Sequence, residues 1–161
     1  MTAFEQTLTF PSEARTAAFA AALAARLGPG DVILLQGGLG AGKTHFARSL
    51  IQSRLAAAGR AEDVPSPTFT LVQVYSDGAT EIWHSDLYRL TGPDEVAELG
   101  LEDAFTDAIC LVEWPDRLDD MIPAGALTLS LEMTPREGER IARLSSTDAR
   151  WQTIVPDMAD V

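Results

Sequence analysis

Apolar residues recur along the chain with two different periods, and the switches between them predict the order of elements. Phe4, Leu8 and Phe10 share one side of an alternating segment, which predicts a short first strand. Ser12 is placed to cap a helix running to about Leu27, with Phe19, Ala22, Leu23 and Leu27 on one face; Gly28-Pro29-Gly30 stops it. Asp31–Gln36 is a short apolar run of the kind that lies buried on both faces of a sheet. After a glycine-rich turn, a second helix extends from Lys43 to about Ala58, with Phe46, Leu50, Ile51 and Leu55 facing inward.

The second half reads as further strands. Val64–Pro67 is an extended, proline-stiffened loop. Phe69–Tyr75 and Glu81–Leu87 flank Ser76-Asp77-Gly78-Ala79, whose Asp-Gly pair predicts a hairpin. One or two short helices fill Pro93–Phe105, and Ala108–Val112 is a second buried strand ending at Glu113-Trp114-Pro115. Leu127, Leu129, Leu131 and Met133 alternate with polar residues, giving a strand with one solvated face. A turn at Pro135–Glu139 leads to a last strand near Arg140–Ser145. Beyond about Ser146 the periodicity ends, and residues 147–161 either fray or dock as a tail.

Composition narrows the function classes. The 161 residues are 46% apolar with a formal charge of −12, as for one compact folded domain spanning residues 1–161. Such acidity argues against a protein that grips nucleic acid or an anionic membrane by itself, because phosphate binding rests on clustered basic residues. A single cysteine, Cys110, rules out an internal disulfide, and no apolar run approaches the roughly 20 residues of a membrane span. The expected location is the cytoplasm, with no membrane partner.

The turn between Gln36 and the second helix carries the chemistry. Gly37-Gly38-Leu39-Gly40-Ala41-Gly42-Lys43-Thr44 fits G-x-x-x-x-G-K-[ST], the P-loop pattern. Glycines let backbone N–H groups wrap a phosphate, and the helix that follows adds its positive end. Lys43 would reach the β- and γ-phosphates, and the Thr44 hydroxyl could ligate Mg²⁺. Lys43 is the only lysine in the chain, against eleven arginines, and it stands where a flexible point charge is wanted. The fold class expected is therefore α/β: a P-loop NTPase-like three-layer domain, its mixed sheet parallel at the centre with antiparallel hairpins at the edges.

A P-loop needs a carboxylate near Mg²⁺ and a group that orients the attacking water. Glu113 ends a buried strand, where ligands bind in parallel sheets, and fits the metal side. Asp86, closing the strand Glu81–Leu87, is the second candidate, for metal or for water, although a turn-forming residue explains it as well. Ser66, Thr68 and Thr70 lie where nucleotide switches place the loop that senses the γ-phosphate, and equally suit a stiff hydrogen-bonded loop. Trp114 is either core or a lid. Neither His45 nor His84 has a partner at zinc-ligand spacing. Ten acidic residues and one basic residue lie between Thr91 and Asp120, a solvated face or a docking patch for a basic protein.

GGLGAGKT, SPTFTLV (Ser66–Val72), HSDLYRL (His84–Leu90) and AICLVEWPDR (Ala108–Arg117) in this order resemble the TsaE family, also called YjeE. The resemblance spans roughly Glu13 to Arg143. It implies a small ATPase of the tRNA threonylcarbamoyladenosine pathway that binds the TsaB–TsaD heterodimer. That heterodimer modifies the adenosine next to the anticodon, and the ATPase resets it without performing the transfer, so tRNA is met only through the complex. Carried onto this chain, the resemblance implies that Gly40, Ala41, Gly42, Lys43, Thr44 and His45 contact the ATP phosphates, in the loop that Gly37 opens by the P-loop pattern. By the same resemblance Thr44 and Glu113 would ligate Mg²⁺, Asp86 would be needed for hydrolysis, and Ser66–Thr70 would form the switch. Glu13 would lie close to the adenine, and Arg140 is the basic residue of the last hairpin that would approach the nucleotide; Trp114, by its place beside Glu113 alone, is the candidate lid near it. Gly38, His45 and Ser85 depart from the residues frequent in the family.

Two other classes compete with a partner-dependent ATPase. A small P-loop phosphotransferase would show a basic lid, and the middle of this chain is acidic instead. A nucleotide-gated binding module would bind ATP with incidental hydrolysis. Lacking an arginine in a recognised finger position, the lone chain should turn over slowly and be stimulated by a partner.

Overall fold

A computed structural model describes residues 1–161. Ser12 caps the first helix, α1 (Glu13–Ala24), by accepting the Arg15 N–H at 3.2 Å. The helix stops earlier than its periodicity suggests, and Leu27 is buried just beyond it. Its buried face is Thr16, Phe19, Ala20, Leu23 and Ala24, so Ala20 and Ala24 take the place expected for Ala22. Arg54 closes the end by donating to the carbonyls of Ala24 (2.7 Å) and Leu27 (2.8 Å), where the helix has run out of its own N–H partners four residues on.

Seven strands form one sheet: β1 (Phe4–Phe10), β2 (Val32–Gln36), β3 (Val72–Ser76), β4 (Glu81–Asp86), β5 (Ile109–Glu113), β6 (Leu127–Met133) and β7 (Arg140–Ser146). Their order is β1-β7-β6-β2-β5-β4-β3. The central contacts β6·β2, β2·β5 and β5·β4 are parallel, while β1·β7, β7·β6 and β4·β3 are antiparallel. This is the expected mixed sheet. Helices α1 and α2 (Lys43–Ala57) cover one face, with Phe10, Phe19, Phe46 and Leu50 at the heart of the larger core. Helices α3 (Pro93–Ala97) and α4 (Leu101–Asp107) cover the other, over Leu34, Cys110 and Val112. Strands β2 and β5 are apolar on both sides because both sides are covered.

Two segments differ from the periodicity. The strand expected from Phe69 begins only at Val72, because residues 68–70 form a turn whose Leu71 N–H reaches the Pro67 carbonyl at 2.8 Å. Leu71 is left-handed there (φ 69°), which interrupts any extended run. The tail docks. Helix α5 (Trp151–Ile154) buries Trp151 completely, and the indole N–H donates to the Gly125 carbonyl at 2.7 Å. No helix is long and apolar enough to cross a membrane.

Candidate nucleotide-binding site

Parallel pairing aligns the C-terminal ends of three central strands at one edge of the sheet. Leu35 of β2 lies opposite Glu113 of β5, and Asp86 of β4 lies opposite Glu113 on the other side. The chain leaves β2 into the glycine-rich turn and returns as α2, so the helix N-terminus is set against both carboxylates.

The turn is built around positions that only glycine fills without strain. Gly37 has φ 145°, and a Cβ there would stand 2.7 Å from the Leu131 carbonyl oxygen. Gly42, at φ 106°, turns the chain into α2. Lys43 is buried and donates its ammonium to the carbonyls of Gly37 and Gly38, while the Trp114 ring lies 4.0 Å from Nζ. Burial pushes its pKa down, and the charges of Glu113 and Asp86 push it back up.

The Thr44 hydroxyl donates to Glu113, 2.8 Å from Oε1 and 3.0 Å from Oε2. Glu113 is 2% exposed, and its Oε2 lies 2.7 Å from His84 Nε2. Asp86 serves the turn at the end of its strand, with Oδ1 accepting the Tyr88 N–H at 3.0 Å. Its Oδ2 lies 3.5 Å from the Thr68 hydroxyl, which in turn contacts Ser66 at 2.7 Å. Asp86 is thus turn-former and cleft carboxylate together.

A cleft of about 420 Å³ opens over these groups. Of the residues singled out in the sequence it gathers Glu13, Gly40, Ala41, Gly42, Lys43, Thr44, His45, Thr68, Asp86, Glu113, Trp114 and Arg140. Gly37 lies beneath the wall, reached only through Lys43, and Ser66 stands behind Thr68. His45 Nε2 is 3.2 Å from the Glu13 carbonyl, joining the two helix starts. Arg140 donates to the carbonyls of Ala41 (2.8 Å) and Gly40 (3.3 Å), bracing the loop from outside. Trp114 belongs to the cleft wall: left-handed at φ 59°, it packs against Tyr88 at 4.7 Å between ring centroids with the rings tilted by 48°.

Sequence reasoning missed Leu39, Tyr88, Thr16 and Gly138 in the lining, and the buried pair of His84 with Glu113. Tyr88 was within reach, two residues past Asp86 on the same turn. His84 had no local signal, because its partner lies on another strand.

Residues 10–142 match the family model of the threonylcarbamoyl adenosine biosynthesis protein TsaE. The chain belongs to the TsaE family. A TsaE of Rickettsia bellii is 40% identical over 122 residues, covering 76% of this chain and 83% of the relative. A TsaE of Bacillus subtilis is 33% identical over 145 residues, with 89% and 87% covered. The crystal structure of Bacillus subtilis YdiB superposes with a TM-score of 0.75 at 26% identity, over 99% of this chain and 97% of that one. Membership of the TsaE family sets the chain in tRNA threonylcarbamoyladenosine biosynthesis as a P-loop NTPase-like protein.

The donors offered are hard oxygens, from Thr44 and Glu113 with Asp86 beside them, and no three His, Cys, Asp or Glu side chains form a self-contained metal cage. Such a set suits a Mg²⁺ that takes its remaining ligands from phosphate and water.

Proposed function

We propose that this chain is a Mg²⁺-dependent ATPase that binds a TsaB–TsaD complex. It supports threonylcarbamoyl modification of the tRNA adenosine next to the anticodon by resetting that complex, without performing the transfer. The observation that carries the reading is the hydrogen bond from Thr44 to Glu113 beneath a glycine loop whose first residue, Gly37, has no room for a Cβ. It joins the hydroxyl that starts the P-loop helix to the carboxylate that ends the neighbouring strand.

The residues divide the work. Backbone N–H groups from Gly40 to Thr44 suit phosphate oxygens at a helix N-terminus. The Lys43 ammonium, now held by two loop carbonyls, is the cation within reach of the β- and γ-phosphates. Thr44 and Glu113 would hold Mg²⁺, which supplies charge neutralisation across the phosphates when bound. Asp86 sits where it can orient water, and Thr68 touches it from the switch segment. Glu13, Thr16, His45 and Gly138 line the part of the cleft beside the start of α1, and we assign the adenine to that side. Trp114 and Tyr88 form a wall over Lys43 that limits solvent.

Arg140 is tied to loop carbonyls, so the lone chain supplies no free arginine to the reacting phosphate and should turn over slowly. A charge of −12 fits a protein that meets tRNA only through its partners. Titration of a fluorescent ATP analogue into wild type and Lys43→Ala tests the cradle. The variant should lose about tenfold or more in affinity, as for loss of a charge-assisted contact. Equal affinity would remove the phosphate cradle and the ATPase with it.

A further inference from the structure

His84 takes no part in lining the cleft, and no motif logic assigns it a task. It is completely buried on β4, two residues before Asp86 and so on the same side of the strand, with Leu111 opposite it and Glu113 diagonally above. Its Nε2 lies 2.7 Å from Glu113 Oε2. An ionised carboxylate only accepts, so Nε2 carries the hydrogen. The other ring nitrogen, Nδ1, is buried with no partner at all. A buried polar atom left unpaired costs stability, and an aliphatic residue would suit the flanking Ile82 and Leu111 better. The position therefore holds a histidine for one hydrogen bond.

That bond fixes the rotation of the Glu113 carboxylate. Thr44 approaches from α2 and lies against both oxygens, so by itself it leaves the group free to turn about its own axis. His84 engages Oε2 from beneath, within the sheet, and orients Oε1 toward the helix start and the cleft. We propose that His84 is a positioning residue for the Mg²⁺-binding carboxylate: it acts through Glu113 and sets how well the site takes the metal. Outer partners of metal-holding carboxylates typically govern affinity in this way. The inference rests on the reading of Glu113 as the metal-side carboxylate.

The test compares His84→Leu, His84→Gln and His84→Asn, with nucleotide binding measured across a Mg²⁺ titration and in EDTA. Gln can place an N–H donor where Nε2 stands, whereas the shorter Asn cannot reach it. His84→Leu should raise the Mg²⁺ concentration for half-maximal tightening of nucleotide by about tenfold or more, with affinity in EDTA within about twofold of wild type. Gln should restore the Mg²⁺ midpoint to within about threefold, and Asn should not. An unchanged midpoint in folded His84→Leu would overturn the role. Where His84→Leu fails to fold, the amide pair decides, and equal midpoints for Gln and Asn would overturn it too. A wild-type chain whose nucleotide affinity ignores Mg²⁺ would instead overturn the metal reading of Glu113, and this role with it.

Discussion

The hydroxyl of Thr44 and the carboxylate of Glu113, 69 residues apart in sequence, meet at 2.8 Å. One begins the helix after the glycine loop and the other ends β5, so the contact exists only because β2 and β5 pair in parallel with Leu35 opposite Glu113. Folding of the sheet and assembly of the site are therefore one event. Thr44→Ser keeps the hydroxyl and should keep Mg²⁺-dependent hydrolysis within about threefold, while Thr44→Ala should lose about 10- to 100-fold. Steady-state assays over a range of Mg²⁺ concentrations check this, and equal rates for both variants would remove Thr44 from the metal side.

Asp86→Asn separates the two tasks of that residue. Asparagine still accepts the Tyr88 N–H and so preserves the turn, but it has lost the charge that faces Thr68. ATP affinity should stay within a few-fold while hydrolysis falls by about 100-fold or more, the usual worth of a group that handles a reacting proton or water. Single-turnover rates beside equilibrium binding will show it. A variant with normal turnover would leave Asp86 as a turn-former only.

Gly37→Ala should be among the most damaging small substitutions in the loop. Its Cβ would collide with the Leu131 carbonyl and crowd Ala41, at a backbone angle that L residues rarely adopt. The loop must shift, and with it the carbonyl that holds Lys43. Nucleotide affinity should fall at least tenfold, a loss of about 1.4 kcal/mol. By contrast Gly38→Ala, where a Cβ meets nothing, should bind as wild type does.

How much of this could be read from the residues alone depended on whether a signal was local. The P-loop, its flanking strand and helix, and the Asp77-Gly78 hairpin are written in contiguous residues, and they form as expected. Asp77 even accepts the N–H groups of Ala79 and Thr80 at 2.9 and 2.7 Å, which is the asx-type turn its sequence implies. Non-local pairings were invisible. The pairing of His84 with Glu113 depends on strand register, and the seat of Trp151 depends on a carbonyl at Gly125. Leu71 shows the opposite limit: an apolar run that periodicity continues as strand is cut by a left-handed residue closing a turn.

The docked tail should carry stability although it lies beyond the matched family segment, residues 10–142. Trp151→Ala empties a fully buried site and leaves the Gly125 carbonyl without the indole donor. Loss of such a side chain costs about 3–5 kcal/mol. Urea denaturation should show it, and a loss too small to measure would mean that the tail packs without contributing.

Acid should act on the hairpin that closes over the end of α2. The Thr80 N–H, then that of Ala79 and the Arg54 guanidinium, hold the Asp77 carboxyl below its ordinary range against the opposing effect of burial. A carboxyl with a depressed folded pKa stabilises the protein above its unfolded value, near 3.8, and this contribution disappears as pH falls through the folded value. Asp77→Asn should therefore be less stable than wild type at neutral pH, and the gap should narrow below about pH 4. Denaturation midpoints from pH 7 to pH 2 give the comparison, and a gap constant with pH would contradict it.

The most direct measurement is Mg²⁺-dependent ATP hydrolysis by the purified chain, alone and mixed with TsaB and TsaD. The site predicts slow turnover by the chain alone and clear stimulation in the mixture, abolished by Asp86→Asn. Fast turnover by the lone chain, or no stimulation in the mixture, would contradict dependence on the partner, and intact ATP binding with no hydrolysis in either case would contradict the ATPase role itself.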